Sequence, residues 1–197
     1  MTPERLQKML TVLQKRQNDL TVVLENVFDP HNVSAVMRSC DAVGVQEIFV
    51  VDTIAPPAKR WGYRSSGSAY KWITVHQFTN LDACITAVRQ KYERILTTHL
   101  AADAVSLYEL DLTLKLGLVF GNEQNGVSAE LNAAADGNFV IPQIGMIPSL
   151  NISVACAVTL YEAYRQKRLA GHYAAQKLSS EEFQKLKTQW SANEKNV

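Results

Sequence analysis

The chain has 197 residues, 47% of them hydrophobic, and a formal net charge of +1, enough apolar material for one globular core. No apolar run approaches the ~20 residues of a membrane span, the amino terminus is amphipathic rather than signal-like, and Cys40, Cys84 and Cys156 form neither a disulfide framework nor a thiolate metal site. These features exclude membrane-spanning and disulfide-stapled classes and lead us to expect a single domain over residues 1–197, cytoplasmic and without a metal. Thr2 and Pro3 read as N-cap and first residue of a helix carrying Leu6, Met9, Leu10 and Leu13 at helical spacing to about Arg16. Residues 20–27 read as a β-branched strand, 32–43 as a helix closed by Gly44, and 47–52 as a second strand, which makes a βαβ unit. After the loop 53–70 come strand 71–75, helix 80–92, strand 94–100, strand 116–121, a short helix near 128–135, strand 138–142 and a long helix from Asn151. Ser179 and Glu182 form a capping box for a terminal helix. The alternation predicts an α/β fold whose mostly parallel sheet is covered by helices on both faces.

The modest net charge hides a segregation. Residues 1–18 carry a net +3 (Arg5, Lys8, Lys15 and Arg16 against Glu4), residues 53–72 a net +4 (Lys59, Arg60, Arg64, Lys71), and residues 163–178 a net +4 (Arg165, Lys167, Arg168, Lys177). The remainder is acidic. One cationic face for a polyanion suits this pattern, as does ordinary solvated surface.

Several familiar chemistries are excluded by their missing motifs. "GNEQNGVS" (121–128) has the glycine spacing of a P-loop, but Val127 stands where a lysine must reach phosphate. No G-x-G-x-x-G follows a strand, so the dinucleotide fingerprint and the related methyltransferase glycine loop are absent. His31, His76, His99 and His172 are scattered without H-E-x-x-H, and no G-x-S-x-G elbow is present. Polar junctions remain: "HNVSAV" (31–36), "QNGVSAE" (124–130) and "LNISVA" (150–155) each set Asn and Ser where a helix begins. Capping explains such residues, yet the carboxyl ends of parallel strands are also where α/β sheets assemble sites. On the first of these helices Arg38 shares a side with Ser34 and Asp41, so an exposed Arg38–Asp41 pair worth a few tenths of a kcal/mol is the plain reading.

"NVSAVMRSCDAVGV", "LVFGNEQNGVS" and "IPQIGMIPSLNISVACAVTLYE" resemble the three ordered motifs of the SPOUT class of RNA 2′-O-methyltransferases. The longer stretch "QNDLTVVLENVFDPHNVSAVMRSCDAVGV" with the amino-terminal helix resembles, within that class, the TrmH group of tRNA (guanosine-18)-2′-O-methyltransferases. The resemblance runs to about Lys177. It implies a SPOUT fold with a deep carboxyl-terminal trefoil knot, a homodimer, S-adenosylmethionine as methyl donor with S-adenosylhomocysteine as product, and methylation of the ribose 2′-hydroxyl of guanosine 18 in the tRNA D-loop. A ribosomal RNA 2′-O-methyltransferase and a non-catalytic RNA-binding protein of the same fold are the alternatives.

By position, the resemblance gives Arg38 as the group that activates the ribose hydroxyl, Asn32 as its positioning partner, and Glu123, Ser149 and Asn151 as polar residues shaping the site. Arginine is a poor base in water, with a pKa above ~12, so its action depends on surroundings. Thr98, Gly121, Ile141 and Leu150 match cofactor-binding positions. The terminal helices, about 3–17 and 163–197, are expected to capture tRNA through Arg5, Lys15, Arg16, Arg165, Lys167 and Arg168, with Arg60 and Arg64 reaching in from the loop; such phosphate contacts position rather than specify. Phe28 and Gln143 depart from the group's usual residues, and the tail beyond Ser179 matches none of its motifs.

Overall fold

The computed structural model of the chain describes residues 1–54, 68–101 and 104–195. Arg60 and Arg64 lie outside the described residues.

Seven strands, β1 (Leu20–Glu25), β2 (Glu47–Val51), β3 (Thr74–Phe78), β4 (Arg94–Thr98), β5 (Val105–Ser106), β6 (Leu116–Phe120) and β7 (Gly137–Val140), form one sheet in the order β3-β2-β1-β6-β4-β7-β5. Every pairing is parallel, with Val22 opposite Ile48 and Leu118 in the centre. Successive residues of a strand point to opposite faces, so β1 feeds two cores. Val22 and Leu24 pack with α2 (Pro30–Val43) and α5 (Ile152–Leu169), whereas Val23 packs with α3 (Leu81–Arg89) and α4 (Ala129–Ala134). Helices on both faces explain why β1 and β6 are buried along their whole length. The α/β expectation holds.

A third cluster joins α1 (Pro3–Gln14) to α6 (Ser180–Lys195) through Met9, Leu13, Leu178, Leu186 and Trp190. The terminal capping box forms as expected: the Ser179 N–H donates to Glu182 Oε2 at 2.8 Å and the Glu182 N–H to Ser179 Oγ at 3.2 Å.

Local chemistry sets most helix ends. Thr2 caps α1, Asn80 caps α3, Ser128 caps α4, and Gly44 ends α2 at φ +86°. A Cβ on Gly44 would also lie 2.9 Å from the Lys15 carbonyl oxygen, so both conformation and space require glycine. Three expectations shift. Helix α2 starts two residues earlier than read, with Asp29 accepting from the His31 N–H and Pro30 in the first turn, so Asn32 is inside the helix and free of capping duty. The strand expected at 71–75 is instead a 3-10 turn over Ala69–Lys71 followed by β3 at Thr74–Phe78. The cause is tertiary: Trp72 turns away to pack edge-on against Trp190, 5.2 Å between ring centroids, and the ladder with β2 begins two residues later. The two-residue β5 and the 3-10 turn at Leu107–Glu109 have no counterpart in the sequence reading.

At the start of β2, beside the edge strand β3, Glu47 receives hydrogen bonds from His76 (2.7 Å), Lys91 (2.7 Å) and Tyr92 (2.9 Å). Burial pushes this carboxyl up, but the three donors outweigh it and hold its pKa at about 2, against an ordinary value near 4.5. A carboxyl depressed on folding adds stability that is fully present above its unfolded value and lost as pH falls toward its folded one. Glu47→Gln should therefore flatten the loss of stability between pH 4.5 and pH 2, removing about 2–3 kcal/mol of pH-dependent stability, as read by urea unfolding across that range.

Candidate active site

The site is built from loops beyond the carboxyl ends of β4, β6 and β7, the position open to ligands in parallel α/β sheets. These loops enclose a cavity of about 610 Å³. Thr98, Gly121, Ile141 and Leu150 all line it, as do Glu123, Ser149 and Asn151. The structure thus gathers seven residues in one cavity wall: Gly121 and Glu123 from the second motif, Ile141, Ser149, Leu150 and Asn151 from the third, and Thr98 from the end of β4.

The loop after β6 has little freedom. The Asn122 and Gly126 backbones exchange hydrogen bonds at 3.0 and 2.9 Å, and Asn122 Oδ1 accepts from the Gln124 and Asn125 N–H groups at 2.6 and 3.0 Å. A Cβ on Gly121 would lie 2.1 Å from the Gly126 carbonyl group, so the backbone occupies the space a side chain needs. Asn122 also donates to the Asn26 carbonyl at 3.1 Å, tying this loop to the end of β1. Sequence reasoning missed Asn122 as the staple; the signal was its place between the two glycines of "GNEQNG".

Three polar side chains meet on the rim. The Asn32 amide donates to Glu123 Oε1 at 2.5 Å, and the Asn151 amide donates to Asn32 Oδ1 at 3.2 Å. Asn151 also caps α5, its Oδ1 accepting from the Ser153 N–H at 2.9 Å and from the Ser153 hydroxyl at 2.6 Å. Capping and site-building are therefore one arrangement: the cap uses the oxygen of Asn151 and leaves its NH2 to orient Asn32. Asn32 in turn has one orientation that satisfies both partners, because its oxygen faces a donor and its nitrogen an acceptor.

Arg38 is exposed on α2 and makes no ion pair among the described residues. The Arg38–Asp41 pairing is overturned, since Asp41 is bound instead by Arg16 at 2.5 Å. Two further expectations need correction. Arg16 is wholly buried, donating to the Val45 carbonyl at 3.0 Å and stacking on Trp190 with its Cζ 4.8 Å from the ring centroid, so it cannot meet a phosphate. Lys167 is also wholly buried, with Asp19 at 2.9 Å and the carbonyls of Thr113 and Leu114 at 3.1 and 3.3 Å. It shares the inward face of α5 with Ile152, Cys156, Thr159, Leu160 and Ala163, a periodicity readable in the sequence. Arg5, Lys15 and Arg168 are exposed, and Arg165 is exposed but paired with Glu162 at 2.7 and 2.9 Å.

The pattern of the SpoU rRNA methylase family matches residues 19–161. The chain belongs to that family. Among its relatives, this SpoU chain is 41% identical over 190 residues to the tRNA (guanosine(18)-2′-O)-methyltransferase of Thermus thermophilus, covering 96% of each protein. Its structure superposes on the A. aeolicus TrmH/SpoU tRNA modifying enzyme with a TM-score of 0.89 at 37% identity, covering 98% of this chain and 97% of that one. An AdoMet-bound rRNA methyltransferase from Sinorhizobium meliloti matches with a TM-score of 0.68 at 29% identity, covering 79% of this chain and 59% of that one. The extended match to the first two takes in α1 and α6 as well as the SpoU region.

Replacing Lys167 by Ala leaves Asp19 without its closest buried partner and should cost about 3 kcal/mol, whereas Arg168→Ala, on the exposed side of the same turn, should change stability by less than about 0.5 kcal/mol; urea unfolding of the two variants distinguishes the buried from the exposed cation.

Proposed function

We propose that the protein transfers a methyl group from S-adenosylmethionine to the ribose 2′-hydroxyl of guanosine 18 in tRNA, acting in the cytoplasm as a homodimer. The observation that carries this reading is the Glu123–Asn32–Asn151 chain on the rim of the 610 Å³ cavity, in a chain whose relative of 41% identity bears that activity in its name.

The cavity suits the cofactor. Its walls combine apolar side chains, among them Phe120, Phe139, Ile141 and Ile152, with polar groups such as Thr98 and Asn151, as a nucleoside with a short amino-acid arm requires, and the close approach at Gly121 keeps that wall free of side chain. Thr98, Gly121, Ile141 and Leu150 are the residues that would hold it. When bound, S-adenosylmethionine supplies an activated methyl group on a sulfonium, so the protein's remaining task is alignment of the hydroxyl and removal of its proton. Asn32, locked between Glu123 and Asn151, presents a fixed polar edge to the ribose. Arg38, with no carboxylate partner among the described residues, would donate its Nη–H groups to the nucleotide's own phosphate and orient it, and a phosphate oxygen would accept the 2′-hydroxyl proton as the methyl group transfers. Ser149 lines the same rim.

The same reading includes the trefoil knot, formed where the loops 121–127 and 141–151 close on the cavity. Dimerisation is supported by apolar side chains left in solvent beside it: Ile144, Met146 and Ile147 in the loop and Val154 and Tyr161 on α5 are each at least 47% exposed. Arg5, Lys15, Arg165 and Arg168 are the described cations placed to meet tRNA phosphates, a set from which Arg16 and Lys167 are removed by burial.

Labelled methyl from S-adenosylmethionine should appear at the ribose of guanosine 18 in an unmodified tRNA transcript, and should disappear when that base is substituted. Label in ribosomal RNA alone would replace the substrate assignment, and no label in any RNA would remove the activity. Arg38→Ala should lower turnover by at least about 100-fold with folding and dimerisation unchanged; retained turnover excludes Arg38 from the chemistry.

A further inference from the structure

A second cavity, of about 170 Å³, lies at the opposite end of the sheet, between α1, α6 and the turn leading into β3. Its walls include Arg5, Lys8, Met9, Val12, Trp72 and Trp190, with Arg16 and Asp41 behind them. This end is marked by the Gln17–Val45 bridge and by the Thr74 N–H on the Gln46 carbonyl, where β1, β2 and β3 begin. The active-site cavity lies beyond the far ends of the sheet, roughly 17 Å away along a strand of five residues.

We propose that this cavity receives one unstacked pyrimidine base of an RNA strand, with the adjoining phosphate held outside by Arg5 and Lys8. The inference rests on the RNA-methylating function above, but on none of its catalytic residues.

Four features carry it. The volume is close to that of a cavity of about 150 Å³ that accepts a single six-membered ring, so a base ring fits within it while its open mouth leaves the attached sugar and phosphate outside. An aromatic wall is ready: Trp72 stands edge-on to the buried Trp190 at 5.2 Å and 70°, and Trp190 is clamped from behind by the Arg16 guanidinium at 4.8 Å. The Trp72 ring is therefore held rigidly, and a rigid aromatic is what unstacked bases use as a platform. The Arg5 guanidinium lies 5.8 Å from the Trp72 ring centroid, at the outer limit of a cation–π contact, which sets a cation beside the aromatic wall at the mouth. Finally, charge and polarity fit the two parts of a nucleotide. Arg5 and Lys8 are exposed at the mouth, while Asp41 uses Oδ1 on Arg16 and is 35% exposed, leaving carboxylate surface to accept from a base N–H.

A free pyrimidine nucleotide has the same chemistry. We favour the RNA strand because the cations lie outside a cavity that holds only a ring, and because exposed Lys15 extends the cationic side of α1 beyond it.

The test uses the full-length protein in a Trp61→Phe background, with tryptophan emission read during titration with pentacytidylate, an RNA that has no guanosine to methylate. Quenching should be saturable. Affinity should fall about tenfold when the oligomer is abasic but keeps its phosphates, and about tenfold again in the intact oligomer for Trp72→Leu or Lys8→Glu, the amount expected for loss of one stacked base or one phosphate contact. Lys8 is exposed, so that variant reports even if Trp72→Leu does not fold. Equal binding of the abasic strand, or unchanged affinity in Lys8→Glu, overturns the proposal; cytidine monophosphate binding as tightly as the oligomer reassigns the cavity to a free nucleotide and overturns the RNA part. Arg38→Ala should bind pentacytidylate normally. Failure of methyl transfer with intact oligomer binding would thus refute the proposed reaction and leave this site standing.

Discussion

The buried side chain of Asn122 is the constraint on which the active site depends. Its oxygen closes the loop after β6 on the Gln124 and Asn125 amides, and its nitrogen fastens that loop to the carbonyl of Asn26. Asn26, held at φ +51°, accepts from the Thr53 and Ile54 amides, and its neighbour Glu25 accepts from the Ser128 N–H at the start of α4. Glu25, Asn26 and Asn122 are buried, and a buried polar group without its partner costs about 1–3 kcal/mol. The network is therefore satisfied as a unit. Its product is a loop in which the carboxylate of Glu123 stands at a fixed place opposite Asn32.

From that fixed point the polar rim is assembled by directional complementarity. Glu123 accepts only, Asn32 both donates and accepts, and Asn151 donates to Asn32 while its oxygen is consumed by capping α5. No residue in this chain can turn over without breaking a bond. Arg38 differs in kind: it is an exposed cation on α2, about one turn and a half beyond Asn32 in the same helix, with no ion pair among the described residues.

Cations elsewhere are spent on holding the ends of the chain to the sheet. Lys167, His172 and Lys177 surround Asp19, fixing the segment after α5 to the start of β1. Arg16 links the end of α1 to Asp41 on α2 and to Trp190 on α6. Burial lowers the pKa of both the Arg16 guanidinium and the Lys167 ammonium, and the adjacent carboxylate opposes it in each case. Removing these two from the cationic surface reduces it to fewer residues, on α1 and on the outer side of α5.

What the sequence by itself determined was local and periodic. The strand and helix alternation, the Thr2, Asn80 and Ser128 caps, the Gly44 stop, the terminal capping box and the three motifs lie within stretches short enough for neighbouring residues to dictate them. The tertiary structure decided the partners. Asn32 meets Glu123 across 91 residues and Asn151 across 119, Arg16 meets Asp41 across 25, and Trp72 leaves its expected strand for Trp190. A charge count cannot tell Lys167 from Arg168, one residue apart, because the difference is which side of α5 the core covers. Composition and spacing state which groups a chain owns; only packing states which of them meet water, since desolvation depends on everything that folds around a side chain and on little that precedes it in sequence.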